Sequence, residues 1–263
     1  MSLADVGLFM LDMDGTFYLG ESLLPGAVEF LALCRKEGIP FTFMTNNSSK
    51  SPAEYLQKLA GMGVTISERE MLTSGDATLQ YMRGNGFLPE VLLIGTPSLE
   101  RQFTQAGYVL TGTAPGAVVL GFDTTLTYEK LTRLCDAVRT GMPYLATHPD
   151  YNCPVQGGCI PDIGAVIAFV QAATGRLPDV VIGKPNVYIA QAAADRFGLP
   201  LEKLCMVGDR LYTDIALGRH GVRTALVLSG ESTWADMEES EYKPDHVFEN
   251  LAEMTAALER ARA

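Results

Sequence analysis

Two aspartates separated by one residue follow the first apolar run of the chain and suit phosphate chemistry. Residues 6–11 are apolar apart from one glycine and lead directly into Asp12, Met13, Asp14 and Gly15. Alternation along an extended segment points Asp12 and Asp14 to the same side, and Gly15 permits a sharp turn. Because neighbouring carboxylates repel each other, the pair predicts a hard cation, and Mg²⁺ needs only one or two carboxylates plus a substrate phosphate.

The two carboxylates can serve different steps of phosphoryl transfer. Asp12 can remain ionised beside a cation and attack phosphorus, forming an aspartyl-phosphate intermediate. Asp14 can protonate the leaving oxygen and then deprotonate the hydrolytic water. Asp209 follows another apolar run and is predicted to be a further metal ligand, with Asp214 behind it. A surface turn is the alternative for Asp-x-Asp-Gly taken alone, since Asp and Gly are common turn residues.

Two more polar segments follow apolar runs and suit phosphoryl oxygens. Thr45, Asn46 and Asn47 come after a run that ends at Met44, and a hydroxyl and backbone N–H groups there can bind an anion. Lys184 follows a later run and offers one ammonium group to the phosphoryl charge. A plain turn and a surface lysine are the alternatives for these segments taken singly.

The elements that must position these residues are predicted to be alternating strands and helices. Apolar runs that do not alternate with polar residues indicate strands covered on both faces, as in a parallel sheet. The predicted strands are residues 6–11, 40–44, 91–94, 117–120, 180–182, 204–207 and 224–228, and the predicted helices are residues 26–36, 51–59 and 186–197. The alternation predicts a doubly wound, Rossmann-like α/β fold, in which ligands bind outside the carboxyl ends of the strands.

A change in composition indicates an inserted domain. After Asp76 the sequence is rich in glycine and threonine, and regular strand and helix patterns resume near Val180. We therefore expect residues 1–79 and 181–263 to form one discontinuous catalytic core. Residues 80–180 are expected to form a separate domain.

Composition excludes several classes of protein. The 263 residues include 20 Lys+Arg and 31 Asp+Glu, and the net charge of −11 argues against nucleic acid as a partner. A hydrophobic share of 47% argues against disorder. No apolar run approaches the roughly 20 residues of a membrane span, so we expect a soluble, cytoplasmic protein with no membrane partner. The 5 cysteines, an odd number, indicate reduced thiols.

The four polar segments together resemble the motifs of the haloacid dehalogenase superfamily of phosphotransferases. The matching motifs are LDMDGT, the Thr45 of FMTNNS, the Lys184 of IGKP, and VGDRLYTD. More narrowly, the sequence resembles subfamily IIA, the branch of NagD and 4-nitrophenylphosphatases. This closer resemblance rests on DMDGTFYLGESLLPGA, TNNSSKS, GKPN, and GDRLYTDI followed by VLSGE. It implies a phosphoric monoester hydrolase with Asp12 as nucleophile and Asp14 as general acid and base.

The resemblance also implies how the metal and the phosphoryl group are held. Mg²⁺ would be bound by the carboxylates of Asp12 and Asp209 and by the backbone carbonyl of Asp14, with Asp214 in support. Thr45 and Lys184 would bind the phosphoryl group, assisted by the backbone of Asn46. The substrate would be a small phosphate monoester such as a sugar phosphate, a nucleoside monophosphate, phosphoglycolate or pyridoxal phosphate.

For residues 80–180 the resemblance implies an α/β cap domain that carries a substrate-specificity loop at residues 147–164 and supports a homodimer through the cap. Within this loop, His148 or Asp150 is expected to contact the leaving group of the substrate. Zinc bound by His148, Cys153 and Cys159 is an alternative, although their spacing fits no compact zinc knuckle.

Other functions remain open for the same set of residues. A signalling receiver also combines an acidic pair, a threonine and a lysine, but it accepts a phosphoryl group without hydrolysing substrates. A phosphomutase would pass the phosphoryl group on, and a dehalogenase would need neither Mg²⁺ nor Asp14. Asp14 argues against the receiver and the dehalogenase, because neither needs a general acid for a leaving group, and a phosphomutase would need the intermediate to survive until the phosphoryl group is passed on.

Overall fold

The chain folds into two units, and each has its own parallel sheet. The computed structural model describes residues 2–155 and 157–262. Unit 1 comprises Met1–Thr45, Leu56–Leu72 and Lys184–Ala263, and unit 2 comprises Asn46–Tyr55 and Thr73–Gly183. Residues 1 and 263, the ends of the predicted core, lie outside the described residues, as does residue 156 of the predicted specificity loop.

The helices and strands alternate through most of the chain. The strands in chain order, β1 to β15, are Leu8–Leu11, Tyr18–Leu19, Ser22–Leu23, Phe41–Thr45, Met71–Thr73, Glu90–Ile94, Val109–Leu110, Ala117–Leu120, Tyr144–Ala146, Asn152–Val155, Gly158–Pro161, Val180–Val181, Leu204–Gly208, Arg223–Val227 and His246–Phe248. The helices, α1 to α9, are Ala27–Lys36, Pro52–Gly61, Ser74–Gly84, Pro97–Gln105, Tyr128–Arg139, Ile163–Thr174, Val187–Phe197, Trp234–Glu239 and Leu251–Arg262.

The sheet of unit 1 has six strands in the order β15-β14-β13-β1-β4-β5. Strand β1 lies parallel to β4 on one side and to β13 on the other, with Leu11 beside Val207. The chain builds outward from β1 to β5 and later returns to place β13 on the opposite side of β1. This reversal of strand order is a topological switch point, where open α/β sheets bind ligands.

The sheet of unit 2 has five parallel strands in the order β12-β9-β8-β6-β7. Successive residues of β6 pack into different apolar clusters: Leu92 contributes to one and Val91 to the other. Strand β8 divides in the same way, with Val118 in the first cluster and Val119 in the second. Both faces of the sheet are therefore covered, which explains why these strands are continuous apolar runs in the sequence.

The fold class predicted from the sequence is confirmed, since two parallel α/β sheets form a Rossmann-like core and an inserted unit. Helix bounds agree closely with expectation, as for α1, which begins one residue after the predicted start and ends at Lys36. Strand β9 was not predicted from the sequence. The main segment of unit 2 begins at Thr73, before the predicted boundary at residue 80. The unit also includes the earlier segment Asn46–Tyr55.

None of the helices in residues 2–155 and 157–262 is long and apolar enough to cross a membrane. All five cysteines are free thiols.

Candidate active site

The ends of β1 and β13 bring two of the predicted aspartates together at the switch point of unit 1. The backbone N–H of Asp12 donates to the carbonyl of Val207 at 2.9 Å, so the ladder between the strands continues to Asp12. Asp209 follows directly after Gly208, the last residue of β13. The side chain of Asp12 is 15% exposed, and Asp209 is buried. The sheet thus leaves Asp12 accessible to a substrate while enclosing its neighbour.

Lys184 forms ion pairs with two carboxylates of this site, Asp12 and Asp214. Its Nζ lies 2.5 Å from Oδ1 of Asp12 and 2.7 Å from Oδ1 of Asp214, and all three side chains belong to unit 1. Burial acts to lower the pKa of Lys184, but the carboxylates of Asp12 and Asp214 outweigh it and raise the pKa well above its usual value. The lysine is therefore charged, and it places one positive group beside the predicted nucleophile.

Asp209 is held by donors from two other segments. Thr16 is fully buried and donates its hydroxyl to Oδ1 of Asp209 at 3.2 Å, and the backbone N–H of Glu231 donates to Oδ2 at 2.7 Å. Burial, followed by the carboxylates of Asp12 and Asp214, raises the pKa of Asp209 to about 7. Asp209 thus lies beside two further carboxylates, and the positive charge of Arg210 only partly offsets their effect on its pKa.

Asp14 lies on the turn that follows β1 and has a different environment. Its Oδ2 accepts a hydrogen bond from the hydroxyl of Tyr18 at 3.3 Å. Burial raises the pKa of the Asp14 carboxyl, and Asp12 adds to this effect, whereas Lys58 and the hydrogen bond from Tyr18 lower it. A carboxyl group whose pKa is raised retains a proton more readily, as a general acid requires.

The acidic residues of unit 1 fit a divalent cation. Carboxylate oxygens of Asp12, Asp209 and Asp214 lie within 4.8 Å of one another. These are hard oxygen donors with excess negative charge, the combination that Mg²⁺ and Ca²⁺ bind. Asp214 is fully buried, and its Oδ2 accepts from the backbone N–H of Arg210 at 3.1 Å. This arrangement suits Asp214 to a supporting position behind the other two carboxylates.

The predicted phosphate-binding residues after β4 fall on both sides of the division between units. Thr45 is buried at the end of β4 in unit 1, while Asn46 and Asn47 belong to unit 2. The Asn46 amide donates to both carboxylate oxygens of Asp150 at 3.2 Å, and the Asn47 carbonyl accepts from the backbone N–H of Ser49 at 2.9 Å. The Asn47 side chain thus organises its own loop and the Asn46 side chain contacts a distant segment, so the backbone groups of this loop are the candidates for binding an anion.

His148 is fully buried in unit 2 and is hydrogen-bonded at both ring nitrogens. Its Nδ1 lies 3.1 Å from the hydroxyl of Thr147, and its Nε2 lies 3.0 Å from Oδ1 of Asp162. Asp162 also accepts from the backbone N–H of Ile163 at the start of α6. The structure thus places His148 within a network that anchors a helix. Whether it also contacts a leaving group stays a prediction.

The predicted specificity loop is largely a β-hairpin. Strands β10 and β11 pair antiparallel with Cys153 opposite Ile160 and Pro154 opposite Cys159. The two cysteines therefore occupy adjacent positions in the register and point to opposite faces of the hairpin. Among the described residues, the groups of side chains close enough to hold a metal ion contain no cysteine, so the geometry gives no support to the zinc alternative.

Sequence reasoning missed several residues that surround the predicted ones. Thr16, Tyr18 and Arg210 are part of the quoted motifs, and their positions beside the aspartates are signals that the sequence contained. Lys58 lies on α2 and carries no such signal, because only the fold brings it over the ring of Tyr18.

Comparison with known proteins assigns this arrangement to a class. A family model for haloacid dehalogenase-like hydrolases matches residues 9–109, and a second, HAD-hydrolase-like model matches residues 181–254. The chain is 35% identical over 254 residues to the acid sugar phosphatase of Staphylococcus aureus, covering 96% of this chain and 98% of that protein.

Two solved structures are similar over nearly the whole chain. The 4-nitrophenylphosphatase of Thermotoga maritima has 46% identity and a TM-score of 0.94, with 97% of this chain and 98% of that chain covered. The glycerol phosphate phosphatase of Mycobacterium tuberculosis, solved in complex with calcium, has 28% identity and a TM-score of 0.88, with 97% and 76% covered.

The chain therefore belongs to the haloacid dehalogenase-like hydrolase family. Within this family it falls in the branch of NagD and 4-nitrophenylphosphatases, as the sequence motifs predicted. It is an enzyme of the phosphatase type, a phosphoric monoester hydrolase.

Proposed function

We propose that the chain is a Mg²⁺-dependent phosphatase that hydrolyses small phosphate monoesters through an aspartyl-phosphate on Asp12. The observation that carries this proposal is the placement of Asp12. Its carboxylate lies 2.5 Å from the ammonium of Lys184 at the end of a buried strand, and it remains partly accessible. A carboxylate that is paired with an ammonium group at a ligand-binding edge is suited to act as a nucleophile.

The proposed reaction has two steps with complementary proton transfers. In the first, an oxygen of Asp12 bonds to phosphorus, the bond to the ester oxygen breaks, and Asp14 gives its proton to the departing alcohol. In the second, Asp14 takes a proton from water, the hydroxide oxygen attacks phosphorus, and the bond to Asp12 breaks. Inorganic phosphate leaves and Asp14 is protonated again, so one group serves as acid and then as base. Thr45 and Lys184 bind the phosphoryl oxygens during both steps.

We infer that Asp12 and Asp209 would hold the cation, together with the backbone carbonyl of Asp14. Asp214 would support them from the buried side. The bound cation would neutralise the carboxylates and the charge that builds up on phosphoryl oxygens. The carboxylate cluster and the calcium complex of the M. tuberculosis relative support a divalent ion. Mg²⁺ is the proposed ion because it uses few protein carboxylates plus a substrate phosphate.

We propose sugar phosphates as the substrate class to examine first, followed by nucleoside monophosphates. The S. aureus relative, named an acid sugar phosphatase, supports this order. The glycerol phosphate phosphatase among the similar structures also indicates a small polyol ester. The alternatives from the sequence, a phosphoryl-accepting signalling module and a phosphomutase, are disfavoured by the phosphatase relatives, and neither would release inorganic phosphate with turnover.

Hydrolysis of 4-nitrophenyl phosphate tests the proposal. The purified protein is assayed with Mg²⁺ and with EDTA, and two variants are assayed with Mg²⁺. Asp12→Asn should lower turnover by at least about a thousandfold, because a neutral amide is a poor nucleophile. Asp136→Asn is the matched control, since Asp136 is exposed and pairs with Arg139. 4-Nitrophenol and inorganic phosphate should appear in equal amounts, and full activity of Asp12→Asn would refute the covalent mechanism.

We also propose a homodimer formed through unit 2. Helix α6 has twelve residues and none is charged, and the side chain of Phe169 on this helix is 44% exposed. An exposed apolar face of this kind favours contact with another protein surface. Light scattering tests this proposal: the chain should have twice its monomer mass, and Phe169→Glu should shift it toward the monomer. A monomeric parent protein would contradict it.

A further inference from the structure

We propose that Tyr18 is a positioning residue that fixes the carboxyl group of Asp14 for proton transfer to the leaving group. This inference rests on the proposed function and identifies a residue that the motif comparison did not assign. The hydroxyl of Tyr18 donates to Oδ2 of Asp14 at 3.3 Å. Because that oxygen accepts a hydrogen bond from the phenol, we place the proton that Asp14 transfers on the other oxygen, Oδ1.

The backbone fixes the distance between the two residues. The N–H of Tyr18 donates to the carbonyl of Met13 at 3.1 Å, and the carbonyl of Tyr18 accepts from the N–H of Gly15 at 2.9 Å. Gly15 has a φ of +84°, a left-handed conformation that glycine adopts without strain. Tyr18 is thus bonded on both sides to the turn that bears Asp14, and the backbones of the two residues cannot separate without breaking this turn.

Packing fixes the orientation of the phenol ring. Tyr18 is fully buried at the start of the hairpin formed by β2 and β3. The Nζ of Lys58, on α2, lies 3.7 Å from the centre of the ring, which is a favourable cation–π contact. A buried ring held by its backbone and by a cation has few alternative orientations, so its hydroxyl is preorganised toward Asp14.

Preorganisation of Asp14 serves both proton transfers. In the first step Asp14 gives its Oδ1 proton to the departing oxygen, and the phenol hydrogen bond stabilises the negative charge that the carboxyl group acquires. In the second step Oδ1 accepts a proton from water. Tyr18 keeps its own proton throughout, so it is not itself an acid or a base in the reaction.

The test compares leaving groups of increasing basicity. The values of kcat/KM for 4-nitrophenyl, phenyl and benzyl phosphate are measured for the parent chain and for Tyr18→Phe, which removes only the hydroxyl. kcat/KM covers the steps up to release of the alcohol, where protonation by Asp14 matters. The loss should grow along the series, from less than about twofold for 4-nitrophenyl phosphate to about tenfold for benzyl phosphate, as expected for one hydrogen bond.

Tyr144→Phe is the matched control. Tyr144 is also fully buried, lies in unit 2, and its hydroxyl has no hydrogen-bond partner among the described residues. This variant should leave the ratio between substrates unchanged. Equal losses on all three substrates with Tyr18→Phe, or no loss on any, would overturn the positioning role, since a purely structural role moves all rates together. Failure of the Asp12→Asn test would instead refute the phosphatase mechanism itself.

Discussion

Among the described residues, two clusters of side chains could hold a metal ion, one in each unit, and they differ in charge balance. In unit 1, Asp12, Asp209 and Asp214 bring carboxylate oxygens within 4.8 Å of one another, and His148, Asp150 and Asp162 do so with their ligand atoms in unit 2. The first cluster contains three carboxylates, and Lys184 pairs with two of them. In the second, each carboxylate accepts hydrogen bonds from neighbouring neutral donors or from the histidine.

This difference shows how a reactive cluster can be told from a structural one. Burial, followed by repulsion from Asp12 and Asp214, raises the pKa of Asp209 to about 7, so the surroundings of this group disfavour its anion. In unit 2 the Asn46 amide faces Asp150, and the ring of His148 together with a backbone N–H faces Asp162. Close spacing of ligand types occurs in both clusters, so charge excess is the feature that identifies the candidate metal site.

Removing a charge from the first cluster should therefore have the largest effect on activity. Asp209→Asn keeps the shape of the side chain but removes a cation ligand, and we expect kcat/KM to fall on the order of a hundredfold or more. Excess Mg²⁺ should restore part of this loss. Thermal unfolding in metal-free buffer should show a Tm equal to or above that of the parent chain, because one of three repelling carboxylates is gone.

The opposite pattern in this variant would contradict the proposed difference between the two clusters. If Asp209→Asn were unstable in metal-free buffer and its activity did not respond to added Mg²⁺, the first cluster would be a structural network like the second. Glu202→Gln provides a control, since this exposed residue belongs to the same unit but is not part of the cluster. It should change neither Tm nor metal dependence.

The sequence was sufficient to predict the residues at the strand ends. Asp12 and Asp209 each follow a run of buried residues, and such runs are visible because both faces of a parallel sheet are covered. Because helices connect the strands of a parallel sheet, the carboxyl ends of these strands lie at the same edge of the sheet. Local pattern and general topology together determine this part of the site, which is why it could be predicted without coordinates.

Contacts between distant segments could not be predicted in this way. Asn46 and Asp150 are 104 residues apart, and their hydrogen bond depends on how the segments of unit 2 pack. Lys58 reaches the ring of Tyr18 only because α2 packs beside the hairpin. Strand β9 has three residues, too short for periodicity to indicate a strand.

His148 shows the same limit, because its position in the predicted specificity loop was the reason to expect a contact with the leaving group. Its complete burial, with one nitrogen facing Thr147 and the other facing Asp162, favours a role in stability. A buried histidine can contact a substrate only if the network around it opens. A variant of His148 can distinguish a role in stability from a contact with the leaving group, because the two roles predict different changes in stability and activity.

Removing this histidine should affect stability more than catalysis, the reverse of the Asp209 variant. His148→Ala leaves Asp162 without its ring partner and creates a cavity, so we expect a loss of about 2 kcal/mol in the free energy of unfolding. Below its Tm, kcat/KM for 4-nitrophenyl phosphate should stay within about threefold of the parent value. Denaturant unfolding and steady-state kinetics measure the two effects, with His220→Ala, a half-buried histidine of unit 1, as the control. A shift in preference among sugar phosphates without loss of stability would instead support contact with the leaving group.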